Sequence, residues 1–192
     1  MAVDFDQLAR TAAPAALPFR IQKLGHIVLR AADLQRSVDF YTQVLGFKIS
    51  DVYPADMVPG GMVFMRFNAD HHGVALVGGM PARSAANELH HLAFEVATLD
   101  EVFRARQHLR RHDVPIVFEG RRRAGVQIAV EFLDPDGHNL EIYWGLDQIG
   151  TNGVVRPREE WRWAHTLEEA VAHPPPGQVP VLFDPSLLER KP

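Results

Sequence analysis

Short apolar runs separated by turn residues alternate with two helix-like segments over residues 23–146. The first run, GHIVLR, is a predicted strand because it is short, apolar and rich in β-branched residues. A helix is predicted after it, since Asp33 can cap a helix and apolar residues recur at helical spacing from Leu34 to Leu45. Gly46 is predicted to end this helix. The runs FKISDVY, MVFMRF and GVALV then predict three further strands.

The same order of elements begins again after a linker rich in Gly, Pro, Ala and Ser. HHLAFEV is a predicted strand, and Thr98 and Glu101 form a predicted capping box for the helix that follows it. VPIVFEG, VQIAVEFL and NLEIYWG predict three strands, with DPDG as the turn before the last. The order β-α-β-β-β therefore occurs twice.

Residue spacing supports a duplication. His26 and His91 are 65 positions apart and occupy matching predicted strands. The same offset pairs Glu141 with Leu76, or with Ala75 if the register slips by one. A repeat of this length indicates duplicated supersecondary modules. We therefore predict an α+β fold in which two tandem βαβββ modules form a curved, U-shaped mixed sheet around a cup, with the helices outside.

Segments outside the repeat are predicted to be an arm and a tail. The tail contains HPPPGQVP, which cannot be a helix or a central strand. We expect it to wrap the domain, as a lid over the cup or as a subunit contact. The predicted boundaries are an N-terminal arm over 1–22, the two-module domain over 23–146 (module 1 about 23–80, module 2 about 88–146), and a C-terminal tail over 147–192.

Composition narrows the class of function. The 192 residues carry a formal net charge of −4, which argues against nucleic acid or an anionic membrane as the main partner. The sequence has no apolar run long enough to span a membrane and no secretory signal at its N-terminus. It has no cysteine, so disulfides and thiolate chemistry are excluded. A cytoplasmic location is the expectation.

His26, His91 and Glu141 are the candidate metal ligands. Two imidazoles and one carboxylate suit a divalent first-row metal, and with open positions they are the set used by non-haem Fe(II) oxygenases. A carboxylate inside LEIYW would be costly to bury without a partner, which a metal supplies better than a salt bridge. The alternative is two structural histidines on inward strands. His90, next to His91, is expected to face the opposite side of the sheet.

Three stretches resemble the vicinal oxygen chelate superfamily, which includes glyoxalase I, fosfomycin- and bleomycin-resistance proteins and type I extradiol dioxygenases. They are GHIVLRAADLQRSVDFYTQVLGFKI, HHLAFEVATLDE and FLDPDGHNLEIYWG. The resemblance covers about residues 23–146 and implies paired βαβββ units with a metal in the cup. The second module is most similar to the ring-cleaving extradiol dioxygenases, whose three metal ligands would fall on His26, His91 and Glu141.

The same resemblance implies further site residues. His72 matches a histidine on the last strand of the first module, which in that family handles a proton and stabilises bound oxygen; the alternative is an ordinary turn residue. The family's tyrosine position is Glu131, and its upstream histidine position falls on or near Arg122, so the chain departs from the family at both places. Glu131 could contact Arg122 or substrate, or simply face water, and Tyr143 could line the cup or simply pack in the core. Arg121, Arg122 and Arg123 are predicted to form a solvated loop, one of whose arginines could pair with a substrate anion.

The predicted function is an Fe(II)-dependent extradiol-type dioxygenase that cleaves a catechol-like diol with O2. Glyoxalase-type relatives use a further carboxylate at the position of Leu76 or Ala75, which this chain lacks. The alternatives are an isomerase, epimerase or lyase that uses Mn, Ni, Co or Zn, and a non-catalytic protein that sequesters a small molecule. The expected partners are a small aromatic substrate, O2 and a second copy of the chain in a homo-oligomer such as a dimer.

Overall fold

A computed structural model shows an α+β protein whose two modules each form a four-stranded sheet. It describes residues 3–12, 24, 26–79, 89–123, 125–148 and 156–188. Most of the linker between the modules and much of the N-terminal arm lie outside these ranges. No helix in the described part of the chain is long and apolar enough to cross a membrane.

The two modules have the same topology, which confirms the predicted duplication. After the arm helix α1 (Phe5–Ala9), the first module contains β1 (Ile27–Arg30), α2 (Leu34–Asp39) with a π-helical extension (Phe40–Val44), β2 (Lys48–Tyr53), β3 (Met62–Arg66) and β4 (Val74–Val77). The second contains β5 (Leu92–Glu95), α3 (Leu99–Arg111), β6 (Ile116–Arg121), β7 (Ile128–Leu133) and β8 (Asn139–Trp144). The strand orders are β1-β4-β3-β2 and β5-β8-β7-β6, with the first and last strand of each module parallel.

Helix caps form where the sequence predicts them. The Asp33 carboxylate accepts a hydrogen bond from the backbone N–H of Arg36 at the start of α2. Glu101 accepts from the backbone N–H of Thr98 at 2.8 Å, completing the capping box of α3. These bonds satisfy backbone donors that a helix start leaves open. Gly46 follows the end of the helical segment at φ +71°, a conformation that glycine adopts without strain.

The register shows which positions of the two modules correspond. Val28 lies opposite Ala75 in the first module, and Ala93 lies opposite Glu141 in the second. The counterpart of Glu141 is therefore Ala75, and the pairing with Leu76 is wrong. The second module has one more residue between its first and last strands, so a constant offset fails there.

The C-terminal tail is anchored to the second module. It forms a 3₁₀ turn (Arg158–Glu160), helix α4 (Leu167–Ala172) and a second 3₁₀ turn (Pro185–Leu187). Ala164 pairs with Arg121 at the open edge of β6, and α4 packs against β6 and β7. Leu167 and Ala170 are fully buried and join the same hydrophobic core as residues of both modules.

Candidate functional site

His91 and Glu141 form the centre of the candidate site. His91 directly precedes β5, which runs parallel to β8, and Glu141 lies opposite Ala93. Side chains two positions apart on a strand share a face, so His91 and Glu141 point to the same side of the sheet. The His91 Nε2 and Glu141 Oε2 atoms are 3.4 Å apart. Two ligands of one metal ion, each about 2.0–2.2 Å from it, lie roughly 3 to 3.5 Å apart, so this pair fits a divalent metal.

Burial makes the free Glu141 carboxylate costly to ionise. Its side chain is 3% exposed, whereas that of His91 is 40% exposed. Burial, and after it the negative charge of Glu131, raises the pKa of Glu141 against the opposing effects of His91, Gln127 and Arg122. A cation at this place would offset both causes, because it favours the charged carboxylate.

Two buried amide oxygens near this pair have no hydrogen-bond partner among the described residues. They are Gln127 Oε1 and Asn139 Oδ1. The Gln127 amide donates to Glu141 Oε1 at 3.5 Å, and Asn139 lies two positions before Glu141 on the same face of β8. Buried acceptors without partners are rare in proteins.

His26, the third predicted ligand, has another histidine as its neighbour. It directly precedes β1, as His91 precedes β5. Its ring contacts that of His72, with a centroid separation of 4.5 Å. In the described part of the chain, no group of three His, Cys, Asp or Glu side chains is arranged to hold one metal ion. The described geometry thus joins His91 to Glu141, and the assignment of His26 stays a prediction.

His72 lies in the loop just before β4, rather than on that strand. Its ring also contacts Phe64, with a centroid separation of 5.0 Å. Partial desolvation, followed by the proximity of His26 and His71, lowers the pKa of His72. A neutral imidazole beside His26 can accept a proton.

Glu131 is the cross-strand neighbour of Glu141 in β7, and it is only 7% exposed. Like charges directly opposite each other in a sheet are destabilising. Arg122 offsets this repulsion, because its Nε and Nη2 atoms donate to the two carboxylate oxygens of Glu131 at 2.7 and 2.8 Å. Of the contacts predicted for Glu131, the structure therefore shows the one with Arg122.

Tyr143 shares the face of Glu141, two positions further along β8. It is half-buried and lies opposite Ala129 and Glu95 in the two neighbouring strands. Burial, then the charges of Glu95 and Glu141, raise the pKa of Tyr143. Tyr143 thus shares the face of Glu141, with a hydroxyl that keeps its proton at neutral pH, and its role in lining the cup stays a prediction.

Two expectations from the sequence are wrong. His90 does not face away from His91, because the Nδ1 atoms of the two rings are 2.7 Å apart. His90 lies two residues before β5, where no ladder partner fixes its direction, and its ring turns toward that of His91. Arg121 is not solvated: it is 0% exposed and donates to the backbone carbonyls of Ala170 and His173. Three consecutive arginines are typical of an exposed loop, and the sequence does not show that the tail covers Arg121.

Several residues near the site carried no signal in the sequence. Gln127 contacts Glu141 from the segment before β7, and the rings of Phe118 and Trp163 contact Arg122. Trp163 comes from the tail, outside the repeat that organised the sequence interpretation. Its contact with Arg122 depends on the pairing of the tail with β6, which the sequence does not show.

Comparison with known proteins decides the family. Residues 23–142 match the family model described as the Glyoxalase/Bleomycin resistance protein/Dioxygenase superfamily. The chain belongs to this superfamily. Membership, together with relatives named as dioxygenases, implies a metal cofactor, and the His91–Glu141 pair is a donor set that fits one.

Curated relatives in the superfamily include ring-diol dioxygenases. Biphenyl-2,3-diol 1,2-dioxygenase of Paraburkholderia xenovorans (strain LB400) is 31% identical over 149 residues, which cover 75% of this chain and 48% of the relative. Biphenyl-2,3-diol 1,2-dioxygenase 3 of Rhodococcus globerulus is 30% identical over 151 residues, covering 76% and 72%. The chain spans about half the length of the first curated relatives that it matches.

Solved structures of the superfamily share the fold. The trypanothione-dependent glyoxalase I of Leishmania major is 26% identical, with a TM-score of 0.51, over 65% of this chain and 88% of that chain. The relatives named as dioxygenases and this structural neighbour therefore point to different reactions on a common fold.

Proposed function

We propose that this chain is an Fe(II)-dependent extradiol-type dioxygenase, which opens the ring of a catechol-like diol with O2. The observation that carries the proposal is the His91–Glu141 pair, in a chain 31% identical over 75% of its length to a biphenyl-2,3-diol dioxygenase. The relatives' names support the kind of reaction, and the donor pair supports the metal.

His91 and Glu141, with His26 as the predicted third ligand, would hold the metal. Bound Fe(II) supplies a Lewis acid for the two adjacent hydroxyl groups and a redox centre for dioxygen. Three ligands leave room for a bidentate diol. Ala75 stands where the first module would otherwise offer a carboxylate, so the module contributes no ligand there.

Side chains around the pair would orient the diol and move its protons. We propose that Glu131, held by Arg122, accepts a hydrogen bond from a diol hydroxyl. Arg122 offsets the charge of Glu131, which keeps a carboxylate acceptor beside Glu141. Tyr143 would form a wall of the binding face. His72 would accept a proton during the reaction, since its lowered pKa keeps it neutral near pH 7.

The decisive test is oxygen uptake by protein purified anaerobically and loaded with Fe(II). Catechol, 3-methylcatechol and 2,3-dihydroxybiphenyl are each added, and O2 consumption is followed together with the yellow absorbance of the ring-opened product. We expect uptake of O2 and diol in equal amounts, at least about 10²-fold slower in Glu141→Ala. His112→Ala, an exposed histidine at the end of α3, is the matched control and should retain activity. Lack of uptake with any diol, in protein shown to bind Fe(II), would rule the proposal out.

A second candidate is a metal-dependent isomerase, epimerase or lyase that needs no oxygen. The likeness to the Leishmania major glyoxalase I favours it, because that chain is 26% identical. The missing carboxylate at Ala75 counts against it. Protein loaded with Mn, Ni, Co or Zn and assayed without oxygen on a hemithioacetal separates the two: turnover there, without oxygen uptake on diols, would select this second candidate.

A further inference from the structure

One row of side chains crosses the second sheet on the face that carries the site. Phe118 in β6 lies opposite Glu131 in β7, and Glu131 lies opposite Glu141 in β8. Paired residues on neighbouring strands point to the same face of a sheet. In the first module the counterparts of this row are Asp51, Phe64 and Ala75. Of the two rows, only that of the second module has two carboxylates directly opposite each other, and with them the need for a counter-charge.

Arg122 supplies that counter-charge from a stack of aromatic rings. Its guanidinium carbon lies 3.7 Å from the centroid of the Phe118 ring and 5.3 Å from that of Trp163. Its Nε and Nη2 atoms donate to Glu131. Arg122 is 37% exposed, so solvent competes for its donors. The Trp163 ring also contacts Arg123, whose guanidinium carbon lies 4.6 Å from the ring centroid. A planar guanidinium packed against rings loses less freedom on forming a bidentate pair than a mobile one does.

The tail brings Trp163 to this face by pairing with the edge of β6. Arg121 and Ala164 exchange two backbone hydrogen bonds, at 3.0 and 3.1 Å. Their side chains are both fully buried in the core on the opposite face of the sheet. Trp163, one residue earlier, therefore points to the face of Arg122. Its indole is fixed further, since its Nε1 donates to His165 Nδ1 at 3.0 Å.

Gly120 allows this approach. A Cβ atom at this position would lie 2.2 Å from the carbonyl oxygen of Ala164, and the backbone has φ +132°. A side chain here would push the tail away from β6. The close contact between the tail and β6 thus depends on Gly120, which lies two positions before Arg122.

We infer that Trp163, supplied by the C-terminal tail, is a positioning residue: with Phe118 it holds Arg122 so that Arg122 fixes Glu131 beside Glu141. The role in substrate binding rests on the proposed function, whereas the hold on Arg122 does not. Trp163 acts through Arg122 and need not touch the diol. The tail thereby contributes a side chain that positions a residue of the site, and it also covers the core.

The hold on Arg122 can be measured without any activity. In ¹⁵N-labelled protein, the Nε–Hε signal of Arg122 is assigned from its loss in Arg122→Lys. We expect slow exchange of this proton with water in the wild type, and at least about fivefold faster exchange in Trp163→Leu, which keeps apolar bulk but removes the ring face. Trp163→Phe should restore slow exchange. Trp161→Leu is the control, because the guanidinium that contacts the Trp161 ring is that of Arg158.

Substrate kinetics give the second readout. With Glu131 less firmly held, KM for the diol should rise about fivefold in Trp163→Leu, with kcat within about twofold of wild type. Equal exchange rates for Arg122 in wild type and Trp163→Leu would overturn the inference, as would a Trp163→Phe protein that behaves like Trp163→Leu. If the wild type consumes no oxygen with any diol, the proposed function fails, and the exchange measurement still decides the role of Trp163.

Discussion

At the scale of single residues, Glu141 shows how far chemistry could be inferred from sequence. Its position inside an apolar strand predicted a buried carboxylate, and the structure has it 2% exposed. The sequence also indicates Glu131 as a site residue. That Glu131 lies directly opposite Glu141 on the neighbouring strand is visible only in the structure. The strand register was also needed to decide between Ala75 and Leu76 as the counterpart of Glu141. The second module is one residue longer between its first and last strands, so the 65-residue offset does not hold at this position.

The raised pKa of Glu141 leads to a prediction about metal-free protein. In that state the folded chain binds the proton of Glu141 more tightly than the unfolded chain does. Stability is therefore lost as pH rises above the unfolded value of about 4.3, through the raised folded pKa. Glu141→Gln removes this loss, so the variant should melt a few degrees higher than wild type at pH 7, with the difference vanishing near pH 4.

Thermal melts in the presence of a chelator, from pH 4 to pH 8, measure this difference. Glu159→Gln changes an exposed carboxylate in the tail and serves as the control, with no such pH-dependent gain. A difference between Glu141→Gln and wild type that grows as pH falls would contradict the assigned sign.

At the scale of elements, sequence patterns located the strands and helices but not the partner of β6. The capping box of α3 and the cap of α2 depend on contacts within three residues, so local sequence is enough to predict them. The tail is different. Its helix α4 has six residues and is held by contacts far away in sequence, including the pair of Arg106 and Glu168 at 2.7 Å.

We expect mutation of Arg121 to weaken the attachment of the tail strongly. It donates to the carbonyls of Ala170 and His173 and, at 3.1 Å, to the side chain of Gln178. Arg121→Ala leaves these buried acceptors without their donor and opens a cavity. We expect a loss of roughly 2–4 kcal/mol in the free energy of unfolding.

Urea unfolding, combined with limited trypsin digestion, checks this expectation. The tail of Arg121→Ala should be cut before the modules are. Arg111→Ala, at the exposed end of α3, should change stability by less than about 0.5 kcal/mol. Equal stability of the two variants would show that the tail does not depend on Arg121.

At the scale of the whole molecule, the DPDG turn of the second module docks on the helical segment of the first. The Tyr41 hydroxyl donates to Asp134 at 3.1 Å, and the backbone N–H of Ala32 donates to Asp136 at 2.9 Å. Ser37 also donates to Asp136. The sequence predicted this segment as a turn, and its second role in joining the modules follows only from their packing.

Tyr41→Phe tests this junction. Tyr41 is 0% exposed, and burial, then Asp134, raise its pKa well above the usual value, so the hydroxyl is a proton donor at all ordinary pH values. Removing it should lower the free energy of unfolding by about 1–2 kcal/mol. The urea midpoint measures the change.

Tyr53→Phe is the matched control for this variant. Tyr53 is half-buried against Phe64, and its hydroxyl makes no hydrogen bond to the residues that the structure describes. We expect a change below about 0.5 kcal/mol there. Equal effects of the two substitutions would mean that the Asp134 contact does not stabilise the junction.

The sequence by itself determined the order of elements in the two modules, and it pointed to His91 and Glu141 as candidate ligands. These follow from periodicity, capping and the chemistry of side chains, which act over a few residues or repeat along the chain. Tertiary structure alone decided the register of Ala75, the burial of Arg121 and the stack of Trp163 on Arg122. Each of these features depends on the pairing of a strand with a segment that is distant in sequence. The unpaired backbone groups of an edge strand can bond to any segment that reaches them, so local sequence does not specify the partner.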